Sequence, residues 1–102
     1  NIKYSYILYN EMVNPYNNPK LLAKAQRKAR KIGVKVKPST RKFKKLDVFN
    51  KDGKKIGSIG DIRYKDFNIT GDKERRKLYK KRHQRYRNKV GTNSFFADRI
   101  LW

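Results

Sequence analysis

The sequence predicts a small α+β domain in which an antiparallel hairpin or three-stranded sheet packs with two basic helices, next to an extended N-terminal arm. Three observations favour this fold. Apolar residues recur at helical spacing after Pro19, Asp52-Gly53 separates two strand-like runs, and 102 residues suit one domain. Apolar residues make up 36% of the chain, so the core is modest. We place a Tyr-rich arm and linker at 1–18 and one basic domain with an apolar tail at 19–102.

The N-terminal arm is predicted to be a strand from Ile2 to Tyr9, because apolar and polar side chains largely alternate there. Asn14 to Pro19 is typical of a turn or linker that separates the arm from the domain. Such a strand can attach to a partner by adding to the edge of its sheet. The side chains expected to meet the partner are Tyr4, Tyr6 and Leu8. Since the sequence begins at Asn1 rather than at Met, we expect the natural chain to begin upstream.

The first helix has clear start and stop signals. Asn18 suits the N-cap, Pro19 suits the first helical position, and Gly33 suits the end. Its apolar residues form one narrow stripe, and cations cover the remaining surface. The stripe consists of Leu21, Leu22, Ala25, Ala29 and Ile32.

A short strand and a hairpin are predicted next. Val34 and Val36 flank Lys35 in the short strand, which Pro38 ends. The hairpin strands run over 43–49 and 54–59 around the Asp-Gly turn, with Leu46 and Val48 on one face.

Beyond the hairpin, Gly57 and Gly60 indicate a bulge or a sharp exit from its second strand. A further strand is expected over 61–69, and its inward-facing residues would be Ile62, Tyr64 and Phe67.

The second helix is predicted from Asp72 to Asn88, with Asp72 and Glu74 at its positive N-terminal end. Ten of the 17 residues from Lys73 to Lys89 are basic. A thin aromatic stripe runs along it, and its tyrosines either stack bases or belong to the core, the second interpretation being favoured. The stripe consists of Leu78, Tyr79, Arg82, His83 and Tyr86.

A short final helix is expected after Gly91, capped by Thr92, Asn93 or Ser94. Its apolar residues are too many to remain in water. We expect Phe96, Ile100 and Leu101 to fold back into the core. Phe95 and Trp102 are expected to dock on a partner.

The charge of the chain is its main functional indication. It has 29 Lys and Arg against 8 Asp and Glu, a formal net charge of +21. Such an excess repels itself unless a polyanion neutralises it, so nucleic acid, an anionic membrane surface or an acidic protein face is the expected partner. The cations assigned to polyanion binding are Arg27, Lys28, Arg30 and Lys31 in the first helix and Arg75, Arg76, Lys80, Arg82, Arg85 and Arg87 in the second.

Catalysis has little support in the sequence. Cysteine is absent, which fits a reducing compartment, and there is one histidine. Asp61 and Asp66 could hold a divalent cation in a nuclease, but caps and salt bridges are the favoured roles of such residues. The glycines at 53, 57 and 60 lack the ending of a phosphate-binding loop. We expect no enzyme activity, no cofactor, no metal and no small-molecule substrate.

From about Pro38 onward the chain resembles a family of small basic proteins encoded by giant nucleocytoplasmic large DNA viruses. One departure is Thr70, which stands where a His is expected, and Asn1 to Gly33 takes no part in the resemblance. The matching residues are 39–42 (STRK), 44–45 (KK), 52–55 (DGKK), 60–61 (GD), 64–67 (YKDF), 72–76 (DKERR), Tyr79, 82–83 (RH) and 96–102 (FADRILW).

This resemblance implies a setting, a virus particle or its cytoplasmic or nuclear factory in the host, rather than a reaction. Together with the charge and the two apolar termini, it predicts a structural component of the virion, a minor capsid protein that cements larger capsid subunits. Its cations would contact acidic capsid proteins, an anionic membrane surface or nucleic acid. The alternative is a nucleic-acid-binding protein that compacts a genome or binds RNA as ribosomal proteins do.

Overall fold

Residues 13–102 are described by the computed structural model, and they form an α+β fold around one three-stranded antiparallel sheet. The predicted fold class is therefore confirmed. The predicted strand at 2–9, with Tyr4, Tyr6 and Leu8, lies outside the described residues. In chain order the elements are a 3-10 turn Pro15–Asn17, α1 Pro19–Lys31, β1 Lys35–Pro38, β2 Leu46–Phe49, β3 Lys55–Ile59, α2 Phe67–Thr70, α3 Lys73–Arg82 and α4 Asn93–Ile100.

Helix α1 begins and ends where the sequence predicts. The Asn18 side chain accepts hydrogen bonds from the backbone N–H groups of Lys20 and Leu21, which would otherwise lack partners. Ala25 and Ala29 are fully buried. Because these side chains are small, α1 approaches β1 and α4 closely.

The sheet has the order β1-β2-β3. Val36 pairs with Val48, and Leu46 pairs with Ile59, so the core face of the sheet is apolar. Helices α1 and α4 pack against it. The core residues are Tyr16, Ala25, Ala29, Val34, Val36, Leu46, Val48, Ile59, Phe96, Ile100 and Leu101.

The hairpin contains the predicted bulge. Val48 pairs with Gly57 while Phe49 pairs with Lys55, so Ile56 is an extra residue in β3. The strand then exits at Gly60, whose φ of +80° is accessible mainly to glycine.

The prediction of a strand over 61–69 is wrong. The chain forms turns there and then the single-turn helix α2, which Asp66 caps by accepting the Ile69 N–H and Gly71 ends with φ +64°. Tyr64 is 66% exposed, and the residues that turn inward are the polar Asp66 and Asn68. Capping and hydrogen bonding to these side chains outweigh the apolar alternation.

Helix α3 ends at Arg82, six residues earlier than predicted. It begins at Lys73, with Asp72 as its N-cap, close to the predicted start, but no residue of it is fully buried, and Leu78 is 56% exposed. Cations repel one another along such a helix, and an apolar face that could stabilise a longer one is lacking. Residues 83–91 form turns instead.

The C-terminal segment folds back as predicted. Thr92 caps α4 by accepting the Phe95 N–H, and Phe96, Ile100 and Leu101 are buried. Within 13–102, none of the helices combines the length and the apolar character needed to cross a membrane.

Candidate functional site

Several acidic residues of this basic chain lie inside the fold. Asp47, Asp66 and Asp98 are all buried. Burial acts to raise the pKa of Asp47, but hydrogen bonds from the Ser39 and Ser58 hydroxyls outweigh burial and hold its pKa below the usual range. Because these carboxylates are turned inward, the outer surface is dominated by cations.

Asp66 is the centre of a buried polar network. One of its carboxylate oxygens accepts the Lys45 ammonium at 2.8 Å and the Tyr16 hydroxyl at 2.9 Å. Burial, reinforced by the charge of Asp66, raises the pKa of Tyr16, which therefore remains a neutral donor. Asn68 donates to the Tyr16 hydroxyl oxygen at 3.1 Å and to the Ile100 carbonyl at 2.8 Å.

The two carboxylates considered for metal-dependent cleavage thus have other partners. Asp66 is bound by Lys45 and Tyr16, and Asp61 is held by the Arg63 guanidinium, which lowers the pKa of Asp61. In the described part of the chain no three His, Cys, Asp or Glu side chains are grouped to hold a metal ion.

Asp98 binds two of the cations that were assigned to polyanion binding. Its side chain is completely buried, and it accepts Lys80 at 3.1 Å and Arg87 at 2.9 Å, together with Arg99. Burial acts to raise the pKa of Asp98, but the hydrogen bonds from Arg87 and Lys80 and their charges outweigh it and hold the pKa below the usual range. Lys80 and Arg87 therefore neutralise the buried Asp98 carboxylate. The residues next to them in the sequence give no sign of this role.

A groove between α1 and α2, called the helix groove below, brings cations together around an aromatic ring. It has a volume of about 430 Å³. The Lys28 ammonium and the Arg76 guanidinium lie 5.5 and 4.4 Å from the centroid of the Phe67 ring. Among the described residues no carboxylate lines it. The groove is lined by Lys24, Arg27, Lys28, Lys31, Phe67, Asn68 and Gly71.

The charges in the helix groove act on one another. Lys28 donates to the Asn68 side-chain oxygen at 2.5 Å, and its burial lowers its pKa. Asp66 acts in the opposite direction, whereas the charges of Lys24, Arg76 and Lys80 act with burial. Cations from α1 and α3, far apart in sequence, are therefore close enough to repel one another, which makes the groove a favourable place for an anion.

The remaining predicted cations are on the surface. Arg85 is exposed and lies over the ring of Tyr86, 5.4 Å from its centroid, while Arg76 is half-buried against Phe67. The others lie exposed on α1 or α3; they are Arg27, Arg30, Lys31, Arg75 and Arg82.

Trp102, expected to dock on a partner, is half-buried and stacks on a ring of its own fold. Its ring lies 4.2 Å from that of Tyr79 at an interplanar angle of 5°, and the His83 ring lies 4.0 Å from Tyr79 at 21°. Two nearly parallel rings this close to Tyr79 cannot share one of its faces, so Tyr79 is the middle of a three-ring stack. Phe95, the other residue that was expected to dock, is half-buried, contacts Phe96 edge-on and lies under Arg99.

This stack lines a second cavity, called the aromatic cleft below, of about 740 Å³. Burial, reinforced by Asp98, raises the pKa of Tyr79 to about 12, so its hydroxyl is neutral at physiological pH. The residues lining the cleft are Lys44, Lys45, Gly60, Asp61, Tyr64, Lys65, Arg75, Tyr79, Arg82, His83, Ala97, Leu101 and Trp102.

Several of these residues were not predicted as site residues. Lys24 lies on the same helical face as Lys28 and Lys31, at i+4 and i+7, so helical spacing could have found it. Phe67, Lys44 and Lys65 carry no such local signal, because contacts between distant segments bring them to the two cavities.

A comparison with known protein families finds a match to the middle of the chain. Residues 34–83 match the model of a family of unknown function (DUF5754). No curated protein and no solved structure matches the chain. The matched segment contains the sheet, α2 and α3, whereas α1 and α4 lie outside it.

Proposed function

We propose that this chain is a non-enzymatic nucleic-acid-binding protein that holds backbone phosphates in the helix groove. The observation that carries the proposal is the convergence of α1 cations with Arg76 around Phe67, in a groove that no described carboxylate lines. The charge of +21 supplies the long-range attraction, and the groove supplies a defined place for phosphate.

The chemistry of the groove suits phosphate better than a diffuse anionic surface. Arg27 presents a guanidinium that can bind two phosphate oxygens, whereas Lys24 and Lys31 act as point charges. Lys28 is already held by Asn68, so less side-chain entropy is lost when an anion binds beside it.

A triple charge reversal tests this proposal. Lys24→Glu, Arg27→Glu and Lys31→Glu remove the exposed cations of the groove while Lys28 keeps its contact with Asn68. A matched triple replaces exposed cations outside the groove, Lys35, Lys51 and Lys54, by Glu. Both triples change the net charge equally. Circular dichroism and thermal melting establish that each variant is folded.

We expect the groove triple to weaken binding of a DNA duplex at least ten-fold relative to the matched triple at near-physiological salt. The magnitude of its slope of log K against log salt should fall by about 3, since each of the three lost phosphate contacts contributes about 0.9. Equal losses in the two triples would contradict the proposal, because they would show that only total charge matters.

A second candidate is the minor capsid protein suggested by the viral resemblance, located in the virion or in the virus factory. One observation favours it: the chain directly after the arm is fixed to the domain. Asn14 donates to the Lys45 carbonyl at 2.7 Å, and Tyr16 is fully buried. An arm anchored in this way can attach to a neighbouring capsid subunit without loosening the domain.

Deletion of residues 1–12 tests this candidate, because it leaves the Asn14 and Tyr16 anchor in place. The truncated protein should keep its thermal stability and lose incorporation into particles. Normal incorporation would exclude attachment through the arm. The C-terminal docking expected at Trp102 has less surface available, because the Trp102 ring stacks on Tyr79. Nucleic-acid binding is therefore the first proposal.

A further inference from the structure

We infer that the aromatic cleft binds an unpaired nucleobase, so that the nucleic acid is single-stranded where it crosses this surface. The inference deepens the proposed function and rests on it. It is carried by three rings, Tyr79, His83 and Trp102, that line the cleft together with exposed cations.

The ring geometry determines where a base can stack. Both faces of Tyr79 are covered, one by Trp102 and the other by His83, so a base must stack on another ring of the cleft, and Tyr64 is the exposed ring. Tyr64 lines the same cleft and is 66% exposed. Stacking of bases on aromatic side chains is the main contact by which proteins hold single strands without sequence preference.

The charges of the cleft suit the phosphates on either side of such a base. Asp61 is the one acidic side chain among the described residues that line it, and Arg63 already neutralises Asp61. Lys45 is engaged by Asp66. The cations of the cleft with no ion pair among the described residues are Lys44, Lys65, Arg75 and Arg82.

Helix α3 has consecutive residues at the cleft and at the helix groove. Arg75 lines the cleft, and the next residue, Arg76, lies over Phe67 in the groove. A strand whose phosphates occupy the groove can therefore continue across α3, a helix about 10–12 Å wide, into the cleft. A duplex cannot make the same contact, because its bases are stacked and paired inside it.

The test compares oligothymidylate with an abasic oligonucleotide of the same length, which has the same phosphates and no bases. Full-length protein is titrated with each, and Trp102, the single tryptophan, reports stacking through its fluorescence. Tyr64→Ala removes an exposed ring of the cleft. Tyr86→Ala is the matched control, since Tyr86 is also exposed, lies against cations and is outside the cleft.

We expect oligothymidylate to bind about ten-fold more tightly than the abasic strand, within the range for stacking one base. It alone should quench Trp102. Tyr64→Ala should reduce the preference to less than about three-fold, and Tyr86→Ala should preserve it.

Equal, salt-dependent binding of the two strands would overturn the base site and leave phosphate binding in the helix groove intact. Binding of neither strand would overturn the proposed function as well. If Tyr64→Ala and Tyr86→Ala reduced the preference for oligothymidylate equally, the assignment of the base to the cleft would also be overturned.

Discussion

The ammonium group of Lys45 lies 2.8 Å from a carboxylate oxygen of Asp66, and the two side chains are only 2% and 1% exposed. The Tyr16 hydroxyl donates to the same oxygen. These contacts join three distant segments: the turn before α1, the residue before β2 and the cap of α2. A buried ion pair adds little net stability over an apolar pair, but breaking it leaves one charge buried without its partner.

Lys45→Met is therefore expected to destabilise the fold by about 3 kcal/mol, measured by urea unfolding, because it leaves the Asp66 carboxylate without its counter-ion. The double variant Lys45→Met with Asp66→Asn should lose less unfolding free energy than the two single variants lose together, since it removes both charges.

Lys55→Met is the matched control for this prediction. Lys55 also pairs with a buried carboxylate, Asp47 at 3.3 Å, but it is 40% exposed, so its loss should cost less than about 1 kcal/mol. Similar losses in the two Lys→Met variants would contradict a special role for the Lys45–Asp66 pair.

Acid should destabilise this protein through Asp47 and Asp98. Folding lowers the pKa of each below its usual value of about 4. The resulting stability is present above the unfolded pKa and is lost as the pH falls through the lower folded values. The midpoint of thermal unfolding should therefore fall as the pH is lowered from about 5 to about 2, at salt high enough to screen general repulsion.

Substitution separates this effect from general repulsion. Asp47→Asn removes one of the buried carboxylates, so the midpoint of thermal unfolding should fall less steeply as the pH is lowered. This low-pH part of the plot of midpoint against pH is called the acid limb. Asp52→Asn removes the same charge from an exposed turn and should keep the original limb. An identical acid limb in all three proteins would show that Asp47 does not contribute.

The parts of the fold that were predicted correctly are those fixed by local signals. Asn18 and Pro19 start α1 through their own backbone preferences, and Asp52-Gly53 sets the hairpin turn, so adjacent residues suffice to predict them. The failure at 61–69 had the opposite cause. Asp66 is a cap whose other partners, Lys45 and Tyr16, are 21 and 50 residues away. The local sequence around Asp66 therefore gives no sign of them.

The candidate site divides in the same way. Arg27 and Lys31 were predicted because helix spacing places cations on a face. Lys80 and Arg87 were assigned to the same role, although a buried carboxylate, Asp98, holds them, and Trp102 was expected outside although Tyr79 holds it. Spacing predicts which way a side chain points from its own helix, but not which distant residue lies there.

Gly60 should be less replaceable than the turn glycine Gly53. Both have positive φ, +80° and +84°, so alanine strains the backbone at either position by about 1 kcal/mol. At Gly60 a Cβ would also lie 2.8 Å from Lys45 Cδ and 3.0 Å from Leu101 Cδ1, whereas at Gly53 nothing lies within 4 Å.

We expect Gly60→Ala to destabilise the fold by about 2 kcal/mol more than Gly53→Ala in urea unfolding, since overpacking in a core typically costs about 1–3 kcal/mol. An equal loss of unfolding free energy in the two variants would show that Lys45 and Leu101 move aside without an energetic cost.

Trp102→Ala distinguishes a tail that stacks within the fold from one that only meets a partner. In the structure its ring covers one face of Tyr79 and packs against the core cluster. Its removal should destabilise the isolated protein by about 2 kcal/mol, less than the 3–5 kcal/mol typical of a fully buried ring. Val90→Ala, at an exposed apolar residue, should change stability by less than about 0.5 kcal/mol. If Trp102→Ala unfolded at the same urea concentration as the wild-type protein, the stack would contribute nothing to the isolated chain, and the ring would be available to a partner.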